Sequence, residues 1–113
     1  MVNGCLYESD YWAGAVKQCG GKGNMPTMAD LGKIASAIYE GNPTIGAYNN
    51  VSNLTYKPGT ATSHGLPEPS FYLWSGEEHD SANAYNRNFY PTNSNWNNYF
   101  RTHSYIQAVC LGD

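Results

Sequence analysis

The sequence predicts an α+β fold in one domain, with two helices beside a mainly antiparallel twisted sheet and a long central loop. Three observations lead to this class. Helical periodicity fills the stretch before Gly41, a proline-rich aperiodic segment follows, and alternating aromatic runs begin at Phe71. At 113 residues the chain has the size of one ordinary domain and can bury one core.

A short strand is expected at residues 4–9, GCLYES. Ser9 or Asp10 can then cap a helix whose apolar positions Trp12, Ala15, Val16 and Cys19 recur at i, i+3, i+4 and i+7. Gly20 and Gly21 end it by supplying the left-handed conformation. Thr27 begins a second helix, with Asp30 three residues on as a short-chain version of the capping box. Leu31, Ile34, Ala35 and Ile38 form its buried stripe, and Gly41 is the expected stop. Residues 42–70 hold four of the six prolines and no sustained period, so they read as a long loop. Loops of that length in one domain are usually functional or held by their own packing. The sequons at Asn50 and Asn53 lie there, and chance in an Asn-rich chain explains them. Strands are expected at 71–76, at 83–90 and at 104–111. In the second of these, Tyr85, Arg87 and Phe89 alternate with Asn86, Asn88 and Tyr90.

Composition narrows the function. Charged residues make up only 13% of the chain, against an average of about 25%. The net charge of −3 and the lack of a Lys/Arg cluster argue against a nucleic-acid partner. No apolar run approaches the roughly 20 residues of a membrane span, so direct membrane insertion is not expected of this segment. Cys5, Cys19 and Cys110 have no CxxC spacing, which leaves little support for a metal or dithiol centre. One disulfide with one cysteine left over is the favoured reading over three buried thiols, and it implies export. His64, His79 and His103 are scattered, so neither an enzyme nor a cofactor is expected.

Several short motifs in order resemble the bacterial C-type lectin-like domains carried by pilin-like and other surface proteins. They are a first helix ending in Cys19, the Met25-Pro26-Thr27 entry to a second helix, and Trp74-Ser75-Gly76-Glu77. Ala84-Tyr85-Asn86-Arg87-Asn88-Phe89 and a terminal Val109-Cys110 follow. The resemblance covers most of the chain outside residues 42–70. It implies a C-type lectin-like fold, an extracellular or pilus location, and a role as the exported head of a longer precursor. It also implies a Cys19–Cys110 bridge that leaves Cys5 free. Cys5–Cys19 is the alternative, and closure of the longer loop favours the first on entropy. The calcium-binding lectin motifs Glu-Pro-Asn and Trp-Asn-Asp are replaced by Glu68-Pro69-Ser70 and Trp96-Asn97-Asn98, each short of an oxygen ligand. Glu77, Glu78 and Asp80 read as a solvated acidic turn. Formylglycine-generating enzymes share this fold class, but their paired thiols have no counterpart here, and fold kinship does not carry activity.

Seven of the sixteen residues from 83 to 98 are asparagine, set among aromatic rings. Tyr and Trp give stiff contact area while Asn and Ser adapt their hydrogen bonds, which is the chemistry of antibody paratopes. The expected ligand surface is therefore His79, Asn83, Asn86, Asn88, Tyr90, Asn93, Asn95, Trp96, Asn97, Asn98, Tyr99 and His103. Tyr90, Trp96 and Tyr99 are its expected anchors, with Tyr85 and Phe89 turned to the core. The partner is expected to be a protein or glycan on another cell or phage. Residues 79–105 also resemble the variable segments written by diversity-generating retroelements, which act on adenine-rich asparagine codons. The alternative is a calcium-dependent carbohydrate lectin.

Overall fold

The computed structural model describes residues 10–103 and 106–110. Asp10 caps helix α1 (Tyr11–Cys19), its Oδ1 accepting the Ala13 N–H at 2.8 Å, and Gly20 ends the helix at φ 81°. A 3₁₀ turn (Lys22–Asn24) leads to helix α2 (Met28–Ile38). Thr27 and Asp30 form the reciprocal capping box there, each side chain bonding the other's backbone N–H. Met28, Leu31, Ala35 and Ile38 are buried, the three larger side chains contributing roughly 1.5–3 kcal/mol each. The helix stops three residues before Gly41, because Tyr39 turns extended and enters the core. Its hydroxyl donates to the Tyr90 carbonyl at 2.6 Å, and burial pushes the phenol pKa up to about 12.

The sheet comprises β1 (Phe71–Glu78), β2 (Asn83–Phe89), β3 (Trp96–Phe100) and β4 (Ile106–Gln107), in the order β3-β2-β1-β4. Pairing is antiparallel except between β1 and β4, so the fold is α+β with two helices packed on a mixed, curled sheet. A third, one-turn helix, α3 (Thr60–Ser63), interrupts the central loop. Residues after Pro91 turn back, and Trp96–Phe100, where the sequence predicts no strand, pair with β2 as β3. Tyr90 N–H bonds the Asn93 carbonyl and Asn88 N–H the Asn95 carbonyl at 2.8 and 2.9 Å, which close the hairpin. Of the expected last strand, Ile106 and Gln107 pair while residues 108–110 do not, and residues 104, 105 and 111 lie outside the described residues. The expected strand at 4–9 and Cys5, expected to be unpaired, also lie outside them.

Both faces of the sheet are packed. On one, Phe71, Leu73 and Phe89 meet α2 and Tyr39; on the other, Trp74 and Ala84 meet Trp12, Ala15 and Ile106. This double cover corrects one expectation. Asn86 and Asn88, assigned to a solvent face by alternation, are 0% and 5% exposed. Arg101 ties α1 to β1, pairing with Asp10 at 2.6 Å and Glu78 at 3.0 Å while lying 4.6 Å over the Trp12 ring. Cys19 and Cys110 form a disulfide, with Cα atoms 5.3 Å apart across 91 positions. A closed loop of that length stabilises by roughly 3–5 kcal/mol in the chain-entropy model.

One buried cation joins the central loop to the sheet. The fully buried Arg87 guanidinium donates to the carbonyls of Asn49 (2.7 Å) and Gly46 (3.1 Å) and to Ser94 Oγ (2.9 Å). Burial lowers its pKa to about 10, so it stays charged at neutral pH. Against α2 the loop comes close enough that a Cβ on Gly32 would sit 2.6 Å from the Ile45 carbonyl oxygen, which requires glycine there. Replacing Arg87 with Met should strand these carbonyls and cost about 3 kcal/mol or more in urea unfolding. A loss below about 1 kcal/mol would show that the loop is held by other contacts.

Candidate functional site

On the α2 side of the sheet, the β2–β3 register sets Arg87 opposite Trp96, Tyr85 opposite Asn98, and Asn83 opposite Phe100. Burial falls along that row. Arg87 is enclosed, Tyr85 and Trp96 are half-buried, Asn98 is exposed and Phe100 is 61% exposed. The core therefore grades into an open surface where β2 and β3 continue.

The pinned loop delivers Tyr48 to this surface. Arg87 binds the carbonyls of Gly46 and Asn49 on either side of it, and Asn50 Oδ1 accepts the Trp96 backbone N–H at 3.1 Å. Val51 and Ser94 exchange two backbone bonds of 2.9 Å. Tyr48 is half-exposed, and its ring lies 5.2 Å from Trp96 at 89° and 5.6 Å from Tyr85 at 69°. Trp96 and Tyr85 are 5.9 Å apart, and His79 meets Tyr85 at 5.3 Å. Such edge-to-face contacts are favourable beyond area burial and stiffen the cluster. The Tyr48 hydroxyl donates to Glu77 Oε1 at 2.9 Å, while Glu77 Oε2 accepts the Met28 N–H at 2.7 Å. Loss of water around the phenol, reinforced by the Glu77 carboxylate, pushes the Tyr48 pKa up to about 12. Asp80 closes the β1–β2 turn by accepting the N–H groups of Ala82 and Asn83, and these bonds hold its pKa down to about 2.

The structure divides the expected ligand residues between two sides of the sheet. His79, Asn83, Trp96 and Asn98 border the Tyr48 cluster. Tyr90, Asn97, Tyr99 and His103 lie on the α1 side, where the Tyr90 and Tyr72 hydroxyls are 2.6 Å apart and Tyr99 contacts both Tyr72 and His103. Asn93 and Asn95 belong to the β2–β3 turn. The Asn93 carbonyl accepts from Tyr39 Oη, and Asn95 N–H donates to Asn88 Oδ1. Asn88 is thus a frame residue. Asn86 is enclosed between Trp74 and Asn97, its amide atoms without a protein partner among the described residues.

Sequence reasoning missed Tyr48, Glu77 and Phe100 as members of this surface, and assigned Tyr85 to the core alone. One signal was present: Tyr48-Asn49-Asn50 repeats the Tyr/Asn composition of the later stretch. Two grooves lie elsewhere. One of about 340 Å³ runs between α2, His64 and Val109, and another of about 320 Å³ between α1 and Trp74.

The groups at this solvent boundary are ring faces and edges, a phenol oxygen whose proton is held by the Glu77 carboxylate, and primary amides. Comparisons with protein-family models, with curated proteins and with solved structures find no match.

Asn98→Tyr should leave stability within about 0.5 kcal/mol of the native chain, since the site is exposed. Asn88→Ser should cost about 1–3 kcal/mol by leaving the Asn95 N–H unsatisfied. Denaturant titration of both variants checks this, and equal effects would contradict the division into frame and surface.

Proposed function

We propose that the chain is a non-enzymatic ligand-binding or adhesion module of C-type lectin-like fold, displayed on a bacterial surface or pilus. The observation that carries this reading is the Tyr48–Tyr85–Trp96 cluster, held rigidly beside exposed Asn98 at the margin of the sheet. Preorganised rings lose little entropy on binding, and neighbouring amides tune specificity. The Cys19–Cys110 bridge accords with an oxidising compartment, and it joins the first helix to the C-terminal segment as the lectin-like resemblance implies. In this reading the ligand is a protein or glycan on another cell or phage. A retroelement could rewrite His79, Asn83 and Asn98 at the rim without disturbing the Asn86 and Asn88 frame.

Glycan arrays probed with and without chelator, together with panels of cell-surface and phage proteins, would find the ligand. Trp96→Ala and Tyr48→Ala should then each weaken binding by tenfold or more, the loss expected when central anchors are truncated. Tyr90→Ala, on the other side of the sheet, should change it little. Binding that survives both patch variants but fails on Tyr90→Ala would move the site to the α1 side. Chelator-sensitive sugar binding would identify a calcium-dependent lectin instead.

A further inference from the structure

β3 is an edge strand, bonded to β2 on one side only. The hairpin bonds Asn88 N–H to Asn95 C=O and Arg101 N–H to Ala82 C=O fix the phase of the ladder, so residues 97 and 99 bond β2. Alternation then turns the N–H and C=O groups of Trp96, Asn98 and Phe100 outward. Two of these are already used. Trp96 N–H donates to Asn50 Oδ1, and the Phe100 carbonyl accepts the His103 N–H at 3.1 Å. The Trp96 carbonyl, the Phe100 N–H and both groups of Asn98 have no partner among the described residues. Natural sheets protect such edges with Lys, Pro or a bulge. The strand reads WNNYF, with no charge and no proline, and Phe100 is 61% exposed on it.

We propose that this edge pairs with the same edge of a second copy, antiparallel about a two-fold axis at Asn98. Asn98 then exchanges two bonds with Asn98 of the partner subunit. The Phe100 N–H donates to the partner's Trp96 carbonyl, and the reciprocal bond forms across the axis. The bonds this register omits are those from Trp96 N–H to the carbonyl of the partner's Phe100. Both of those groups are already satisfied inside each chain, so the pairing requires Asn50 Oδ1 and the His103 N–H to lie out of the sheet plane where the partner strand passes. The free groups of the edge are therefore complementary to themselves, whereas an unrelated peptide strand would leave its own groups unmatched at both ends. Trp96 faces the partner's Phe100 directly, an aromatic cross-strand pair that covers exposed ring surface. Two-fold contacts of this isologous kind are the commonest among soluble oligomers. The proposal goes beyond the binding role. It would set two Tyr48–Trp96 clusters side by side on one continuous sheet and make the module bivalent.

Sedimentation of the native chain over a dilution series, with backbone amide exchange at each concentration, tests the pairing. A reversible dimer is expected, with the Asn98 and Phe100 amides slowing as it forms. Asn98→Lys puts like charges across the axis while keeping the backbone, and Asn98→Pro removes an N–H that β2 does not use. Both should be monomeric where the native chain is dimeric, with unchanged circular dichroism; if the proline variant fails to fold, the lysine variant decides alone. A native chain that stays monomeric overturns the proposal, even if it captures an unrelated extended peptide along β3. So does a dimer that survives Asn98→Lys, or one that leaves both amides unprotected.

Discussion

Arg87 carries a full charge in the interior and is held by carbonyl dipoles and one hydroxyl. A charge taken out of water is costly unless its hydrogen-bonding capacity is met in the fold. Here two separate pieces of chain supply acceptors to the side chain that β2 bears, the β2–β3 turn through Ser94 and the central loop through Gly46 and Asn49, while its Nε has no partner among the described residues. The fork of a guanidinium can serve them together, where the single ammonium of a lysine would not. The cost of burying the charge is thereby coupled to the position of the loop, since moving the loop would expose an unsolvated cation.

From that constraint the rest of the surface follows. Once residues 46–50 are fixed, Tyr48 can reach only the space beside Trp96 and Tyr85, and Asn50 meets the β3 backbone. Gly32 and Ser36 on α2 fix the loop's other side, Ser36 Oγ accepting the Ile45 N–H at 3.1 Å. The second buried-side network, Arg101 between Asp10 and Glu78, acts on the opposite part of the molecule and closes α1 against β1. The two arginines divide the labour. One positions the loop that bears Tyr48, and the other positions a helix.

Much of the fold is legible in local signals. Asp10, Gly20, Thr27 and Asp30 mark helix ends through bonds spanning three or four residues, so their meaning does not depend on tertiary context. The periodic apolar residues of α2 are equally local. β3 was hidden because the strand-poor pair Asn97-Asn98 interrupts its aromatic residues and takes its conformation from pairing with β2. Asn86 and Asn88 were misplaced for a related reason: alternation distinguishes two faces but does not say whether both are covered. Tyr48 was missed because a long-range cation, Arg87, brings it to the site, and the sequence between them has no periodicity. The rings of the later stretch and the asparagines at its rim were legible by composition alone.

These contacts make the loop bearing Tyr48 part of the cooperative fold. Native-state hydrogen exchange of the Val51 and Ser94 amides, which bond each other's carbonyls beside Arg87, measures this most directly. Both should exchange only through global unfolding, with the same free energy as the Leu73 and Arg87 amides of the central strands. Exchange through a much cheaper local opening would contradict this and show that the loop detaches while the sheet stays folded.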